Sequence, residues 1–470
     1  MAITQKLRLQ LKHSFDSIRN ERLKQNFLQA LPFWVASIVT GLFAVAYAKL
    51  FAFAEEQSHH LFNINKWWFL ILAPACFVFA RWLVVKFAPY SRGSGIPQVI
   101  AAVELANPKQ NEKVGKLLSL RIIVVKVISS LVVVVGGGVV GREGPTIQIA
   151  GSVFRKINMW LPKWWPKISK KNMISAGAAA GLAAAFNTPL GGIVFAVEEL
   201  TKTHISYFKT ALFTAVIIAG LTAQGLMGPY LYLGLVNTSN ISPWIFLPII
   251  ILAIITGFIG SAMCKLMLAL FKWRSTFNTY KKHIIYTAAC GLVVAALAVF
   301  VSEQMFWSGK EIMTTTLMTD NKTVAWYIPL LRIIGPVLSF TSGGAGGVFA
   351  PALSAGASIG ALMSSIIHMS PTDTNLLILC GMCGFLTGVT RTPFTSAILV
   401  LEMTDRHNAI FHLMLAGMVA GMAAAIVDKH SFYDHLKHQY IHDLTYDDVH
   451  EHAAEHMPEL PVKEQPDVEV

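Results

Sequence analysis

The stretch Asn187-Thr-Pro-Leu-Gly-Gly-Ile-Val-Phe-Ala-Val-Glu-Glu-Leu200 returns later in the chain as Arg391-Thr-Pro-Phe-Thr-Ser-Ala-Ile-Leu-Val-Leu-Glu-Met-Thr404. Thr188-Pro189 aligns with Thr392-Pro393, and Glu198 with Glu402, at an offset of 204 residues. Upstream, Gly141-Arg-Glu-Gly-Pro145 aligns with Gly347-Val-Phe-Ala-Pro351 at an offset of 206. Two matched pairs at nearly one offset describe a chain built from two homologous halves. Both units are apolar, yet Gly and Pro break them. Irregular backbone at membrane depth is tolerated only where protein or a water-filled cavity surrounds it. Repeats with broken helices at equivalent positions favour a transport site near the midplane, where the halves meet.

Lipid as the solvent follows from composition. Of 470 residues, 54% are hydrophobic and 14% are charged, where a soluble globular chain carries about 25% charged residues. Leu31 to Phe53 is almost free of charge, as is Trp67 to Val85 apart from Arg81. Leu212 to Leu233 and Ile241 to Met263 carry no Lys, Arg, Asp or Glu. Each run is near the roughly 20 residues that a membrane helix needs. The first starts too late and runs too long for a cleaved signal peptide.

The net charge of +12 is placed as a membrane protein places it. Lys6, Arg8, Lys12, Arg19, Arg22 and Lys24 precede the first run, and Lys86 and Arg92 follow the second. The loop between them, Ala54 to Asn65, has Glu55 and Glu56 but no Lys or Arg. This positive-inside pattern puts the N-terminus in the cytoplasm. It leaves no need for a nucleic-acid partner.

The organisation expected is a basic cytoplasmic helix over 1–30, a first membrane repeat over 31–236 and a second over 243–430. The polar loop Asn237 to Ser242 joins the repeats, and a last helix with a polar tail fills 431–470. Of the five cysteines, Cys380 and Cys383 form a C-x-x-C. No second ligand pair lies nearby and structural zinc wants four ligands, so these read as small packing residues.

An anion at membrane depth needs donors and positive potential, which helix N-termini supply through unpaired N–H groups and about half a positive charge. Gly93-Ser-Gly-Ile-Pro97 can create such an end. Its glycines let the backbone turn, Pro97 suits a first helical turn, and Ser94 offers a hydroxyl. The same residues would also serve an ordinary loop with a serine cap. Glu143, in Gly141-Arg-Glu-Gly-Pro145, follows the apolar run Leu131 to Val135. A carboxylate there is costly and functional by default. It can occupy an anion site as a tethered anion and leave it on protonation, or it can pair with Arg142 to hold the loop. Glu198 and Glu199 end another apolar helix and point to different faces: one can be structural and the other face a water path, or the pair can simply be a solvated helix end.

Two further patterns carry less. Gly136-Gly-Gly-Val-Val-Gly141 fits a dinucleotide fingerprint, but no acid lies about 20 residues on to bind a ribose. His452-Ala-Ala-Glu-His456 matches an inverted zinc-peptidase motif, without a fold around it. Weak metal binding by His435, His438, His442 and His450 is a further reading of the tail.

Gly93-Ser-Gly-Ile-Pro97, Gly141-Arg-Glu-Gly-Pro145, Gly347-Val-Phe-Ala-Pro351 and Tyr433 stand in an order that resembles the CLC family of chloride channels and transporters. The resemblance runs from the first apolar run to about residue 440. It implies an all-α polytopic membrane protein with two inverted repeats of broken, tilted and re-entrant helices. It also implies a multi-pass homodimer in the inner (plasma) membrane, both termini cytoplasmic, with one anion pathway per subunit. Chloride would be held by the Ser94 and Tyr433 hydroxyls and the backbone N–H groups of Val348 and Phe349. The motif glycines and prolines Gly93, Gly95, Pro97, Gly141, Gly144, Pro145, Gly347 and Pro351, with Arg142, would support the site. Glu143 matches the family's gating glutamate. Glu199 matches the internal proton-transfer glutamate of exchanger members, which channel members generally lack. Ser94 argues against the fluoride-exporting branch. Gln98 stands where an acid often follows the first motif, which bears on the inner proton path, and the family's cytoplasmic nucleotide-binding pair is missing from the match. The activity implied is exchange of chloride for protons, without enzyme chemistry or cofactor. A passive voltage- or pH-gated chloride channel of the same fold is the alternative, and a membrane metalloenzyme using the tail histidines is a reading of another class.

Overall fold

The computed structural model describes residues 20–200, 209–228, 231–239, 241–320 and 322–455, apart from the side chains of 22, 23 and 446–455. Most of the basic arm and the His452–His456 motif's side chains lie outside that description.

Seventeen of the helices among the described residues frame the two halves. In the first half these are α1 (Glu21–Ile64), α2 (Phe69–Phe87), α3 (Ile96–Leu105), α4 (Leu120–Val135), α5 (Glu143–Trp160), α6 (Lys170–Phe186), α7 (Pro189–Phe195) and α8 (Lys209–Met227). The second half has α9 (Phe246–Ser275), α10 (Tyr280–Phe300), α11 (Lys310–Met318), α12 (Ile328–Thr341), α13 (Phe349–Ile366) and α14 (Pro371–Thr390). It ends with α15 (Pro393–Thr404), α16 (Ile410–Val427) and α17 (Phe432–Glu455). Among the described residues there is no β-strand, only two isolated bridges, Gly93–Ala345 and Gly141–Gly347. Nine helices among them are long and apolar enough to cross a membrane, while α3, α12 and α15 are apolar but short.

Two boundaries differ from the sequence reading. Helix α1 begins at Glu21 and runs unbroken past residue 30, so no separate arm ends there. The apolar run Leu212 to Leu233 is helical only to Met227, because Gly228 takes a positive φ of 81° and stops it. Residues 231–239 form an irregular segment instead.

The repeat read from the sequence is repeated as local structure. Asn187 ends α6 in the left-handed region at φ 58°, and Arg391 ends α14 there at φ 63°. Thr188 (φ −127°, ψ 80°) and Thr392 (φ −120°, ψ 78°) follow as N-cap residues of matching conformation, and Pro189 and Pro393 open the next helix, where a missing N–H costs nothing. The two glutamates that then align are exchanged between the halves. The Glu198 carboxylate accepts from the N–H groups of Phe394 (3.3 Å) and Thr395 (2.7 Å), at the start of α15. The Glu402 carboxylate accepts from Leu190 (3.0 Å) and Gly191 (2.7 Å), at the start of α7. A contact made twice with the roles reversed is what a two-fold relation produces. It stabilises the orphan donors of two helix ends, each with a charge suited to the helix dipole.

Buried α14 packs against α13 with backbones nearly touching. A Cβ on Gly356 would stand 2.2 Å from the Gly381 carbonyl oxygen. Close approach of this kind drives helix association in lipid, which offers no hydrophobic force of its own. Cys380 and Cys383 are free and buried on α14, as packing residues would be.

Candidate functional site

The three Gly-Pro breaks singled out in the sequence meet. Gly93 donates to the Gly344 carbonyl at 2.9 Å, and its own carbonyl accepts from Gly346 at 3.0 Å. Gly141 and Gly347 exchange both backbone hydrogen bonds, at 2.8 and 2.7 Å. The zipper gathers the N-termini of α3, α5 and α13 in one place, two from the first half and one from the second. Pro97, Pro145 and Pro351 each stand within the first three residues of their helix, where N–H groups have no intrahelical acceptor.

Glycine is required here by space. A Cβ on Gly144 would lie 2.2 Å from Ser94 Oγ. One on Gly347 would lie 3.0 Å from the Gly141 carbonyl and 3.1 Å from the Gly144 nitrogen. Gly95 also needs its freedom, because φ is 105° as the chain turns into α3.

The side chains proposed from the sequence divide around this junction. Ser94 and Tyr433 are both 1% exposed, and the two hydroxyls lie within interaction range of each other. Neither Ser94 Oγ nor the Tyr433 hydroxyl makes a hydrogen bond to a described residue. Two buried hydroxyls without acceptors are costly unless something completes them, and both can donate to an anion. Tyr433 stacks obliquely on Phe349, ring centroids 6.3 Å apart. Val348 is the N-cap of α13 and Phe349 its first residue, so both N–H groups belong to positions that the helix leaves unpaired.

Glu143 is the first residue of α5 and 1% exposed. Its Oε2 lies where a Cβ on Gly141 would reach it at 2.3 Å. Its Oε1 accepts a hydrogen bond from the Tyr232 hydroxyl at 3.1 Å. Arg142 is within electrostatic reach. Glu199 is 6% exposed and stands on a five-residue π-helical turn, Ala196–Leu200, that continues α7. Such turns are frequent at functional sites. Tyr433 is within electrostatic reach of both Glu143 and Glu199. Of the adjacent pair, Glu198 is the helix cap and Glu199 the buried group, so the two do point apart.

Three residues of this region escape the motifs. Tyr232 sits in the irregular segment after α8, packed edge-on against Phe186 with centroids 5.0 Å apart. Nothing in the sequence marks it. Lys126 is fully buried on α4 and donates to the carbonyls of Ser91 (2.8 Å) and Gly93 (2.7 Å), holding the loop that carries Ser94. A lone lysine inside the apolar helix Leu120–Val135 is the signal that finds it. Gln148 donates to Leu117 O at 2.9 Å and packs under Gly95. Gln98 is buried, and its amide donates to the carbonyls of Tyr90 (3.2 Å) and Arg92 (2.7 Å) and to the Tyr440 hydroxyl (3.2 Å). It ties the loop before α3 to α17.

Comparison with known proteins bears on the family and the fold. The family model described as voltage gated chloride channel matches residues 76–425. The H(+)/Cl(-) exchange transporter ClcA of Citrobacter koseri is 27% identical over 418 residues, covering 85% of this chain and 86% of the relative. The protein of the same name from Salmonella schwarzengrund is 28% identical over 443 residues, 89% of this chain and 90% of the relative. Among solved structures, a slow cyanobacterial Cl-/H+ antiporter superposes with a TM-score of 0.77 at 21% identity, covering 88% of this chain and 98% of that one. A CLC-type fluoride/proton antiporter gives 0.73 at 20% identity, covering 87% and 98%. These two likenesses are of fold. With the family model spanning most of its length, the chain belongs to the voltage gated chloride channel family, the CLC proteins.

Proposed function

We propose that this protein exchanges chloride for protons across the membrane. The observation that carries the reading is the placement of one buried carboxylate, Glu143, on the first residue of a helix that meets two other helix N-termini. An anion and a tethered carboxylate would compete for the same positive potential. Deprotonated Glu143 holds the outer part of the site, and protonation removes its charge and admits chloride. Below it, Ser94 and Tyr433 donate their hydroxyls, and the N–H groups of Val348 and Phe349 complete the shell. Glu199 passes protons between the cytoplasm and Glu143. Coupling arises because chloride and proton need the same carboxylate in opposite states. The identity of the relatives named above as exchange transporters supports the same reading, and Ser94 keeps the Gly-Ser-Gly pattern rather than that of fluoride exporters.

The reading needs no cofactor and no enzyme chemistry. It places the protein in the inner membrane as a homodimer, both termini cytoplasmic, each subunit with its own pathway.

The experiment is flux from chloride-loaded liposomes with external pH and chloride followed together. Uphill proton movement driven by a chloride gradient is the expected result. Glu143→Gln is expected to keep chloride flux and lose proton movement. Chloride movement without protons in the unaltered protein would make it a passive channel instead.

A further inference from the structure

A cavity of about 250 Å³ opens beside the zipper between α2, α9, α10 and α17. Arg81, Arg92, Arg274 and His283 line it, with Gly93 and Gly343 on its inner wall. It lies where α2 and α9 end, the end that Lys86 and Lys272 mark as basic. The guanidinium groups crowd together. A Cβ on Gly343 would lie 2.7 Å from Arg81 Nη1 and 3.1 Å from Arg274 Nη1. Arg92 and His283 are within electrostatic reach of both arginines.

Among the described residues, no carboxylate lines this cavity. Asp443, outside the lining, is engaged by Arg92 at 3.2 Å. Arg274 donates to the Thr341 carbonyl, a neutral partner. Arg81 Nε and His283 Nδ1 are buried and make no hydrogen bond to a described residue. Asp443 answers Arg92 alone, so among the described residues Arg81 and Arg274 stand without a counter-charge. Like charges gathered in this way repel, and an anion removes the cost. Chloride is a poor match for such a set. Guanidinium groups present planar forks that suit the paired oxygens of a phosphate, and several fixed positive charges favour a multivalent anion over a monovalent one.

We propose that this cavity binds a phosphate group, carried on a soluble molecule or on a lipid headgroup, as an anion site separate from the chloride pathway. Gly93 belongs to both walls, since it lines the cavity and precedes Ser94. An occupied cavity therefore acts on the loop that presents Ser94.

The test is titration calorimetry of the full chain in nanodiscs of phosphatidylcholine, with inorganic pyrophosphate as the probe. Pyrophosphate is expected to bind, to survive saturating chloride, and to bind about tenfold or more weakly in Arg81→Gln, which loses a charge-assisted donor. Chloride binding retained in that variant shows an intact fold, and His283→Gln replaces it if Arg81→Gln does not fold. Discs containing phosphatidic acid separate the sources. Copurified phosphatidate that excludes pyrophosphate assigns the site to a lipid headgroup, and undiminished pyrophosphate binding assigns it to a soluble molecule. Absence of both ligands, binding indifferent to both variants, or displacement by chloride one for one would overturn the proposal. The last result would make the cavity an antechamber of the chloride path. None of these outcomes depends on whether protons are exchanged.

Discussion

The Tyr232 hydroxyl donates to Glu143 Oε1 at 3.1 Å, joining an irregular segment at the end of the first half to the carboxylate at the start of α5. Lys310 Nζ lies 4.7 Å above the same tyrosine ring. A donated hydrogen bond favours the charged form of a carboxylate and is worth roughly 1.5–3 kcal/mol when the acceptor is ionised. Tyr232→Phe removes it while keeping the ring against Phe186. If Glu143 gates, the pH at which exchange is half-maximal should move to the alkaline side, by about one unit at about 1.4 kcal/mol per unit. The pH–rate profile of reconstituted protein measures this. An unmoved profile would mean that the contact has no part in gating.

Gly144 tests whether Ser94 belongs to the anion site. Its Cβ would stand 2.2 Å from Ser94 Oγ, so Gly144→Ala forces the hydroxyl away. Ser94→Ala and Tyr433→Phe each delete one donor to an anion, at roughly 1.5–3 kcal/mol, or about tenfold or more in chloride affinity. Gly144→Ala is expected to weaken chloride binding at least as much as Ser94→Ala, and the two together should do little more than either. Chloride calorimetry in detergent decides, and additive losses would separate Gly144 from Ser94.

Glu198 and Glu199 are neighbours with opposite expectations. Glu198→Gln trades a charged helix cap for a neutral one, as does Glu402→Gln. Each should cost about 0.5–2 kcal/mol of stability and leave proton coupling intact. Glu199→Gln should uncouple protons with little loss of stability. Thermal unfolding beside proton flux in the three variants gives the comparison. Normal coupling in Glu199→Gln would remove that residue from the proton path.

Asp428, between α16 and α17, accepts from the His430 N–H and from His435 Nε2, both at 3.0 Å. Partial burial pushes its carboxyl up, but these two partners, with Arg391 nearby, hold it below its ordinary value. A group depressed in the fold stabilises it above its unfolded value, about 3.9, and loses that contribution as pH falls through the folded value. Asp428→Asn should therefore lower Tm slightly at pH 7, by an amount worth about 1 kcal/mol or less for a solvent-facing pair. Once the pH lies below the folded value, the variant and the parent should converge. A gap that does not change with pH would show that the carboxylate charge has no part in the effect.

How much of this could be read from the chain depends on how each part is built. The junction was legible because it is made of main chain, and main chain bent at membrane depth has to be spelled with Gly and Pro. Gly93, Gly141 and Gly347 are visible for that reason, as is the repeat that carries Glu198 and Glu402. Tyr232 was not, because an aromatic residue in an apolar run reads as part of a helix until Gly228 ends the helix. Lys126 went unmarked too, although a single lysine in the largely apolar run Ile122 to Val135 is a signal that could have found it; what it holds, the Ser91–Gly93 loop, is a matter of packing. The basic cavity unites Arg81, Arg92, Arg274 and His283 from distant segments, and no local pattern brings them together.

The exchanged caps bear on how such a chain could have arisen. Each half carries a glutamate that satisfies helix ends belonging to the other half. Alone, a half would leave that acid and those backbone donors unanswered, a heavy burden in lipid. A single ancestral unit escapes the burden by pairing with a copy of itself in the opposite orientation, because the contact is reciprocal. Duplication and fusion then add only a tether to a partnership that already closes, and afterwards the two copies are free to diverge, one keeping Glu143 and the other presenting Phe349 at the matching place.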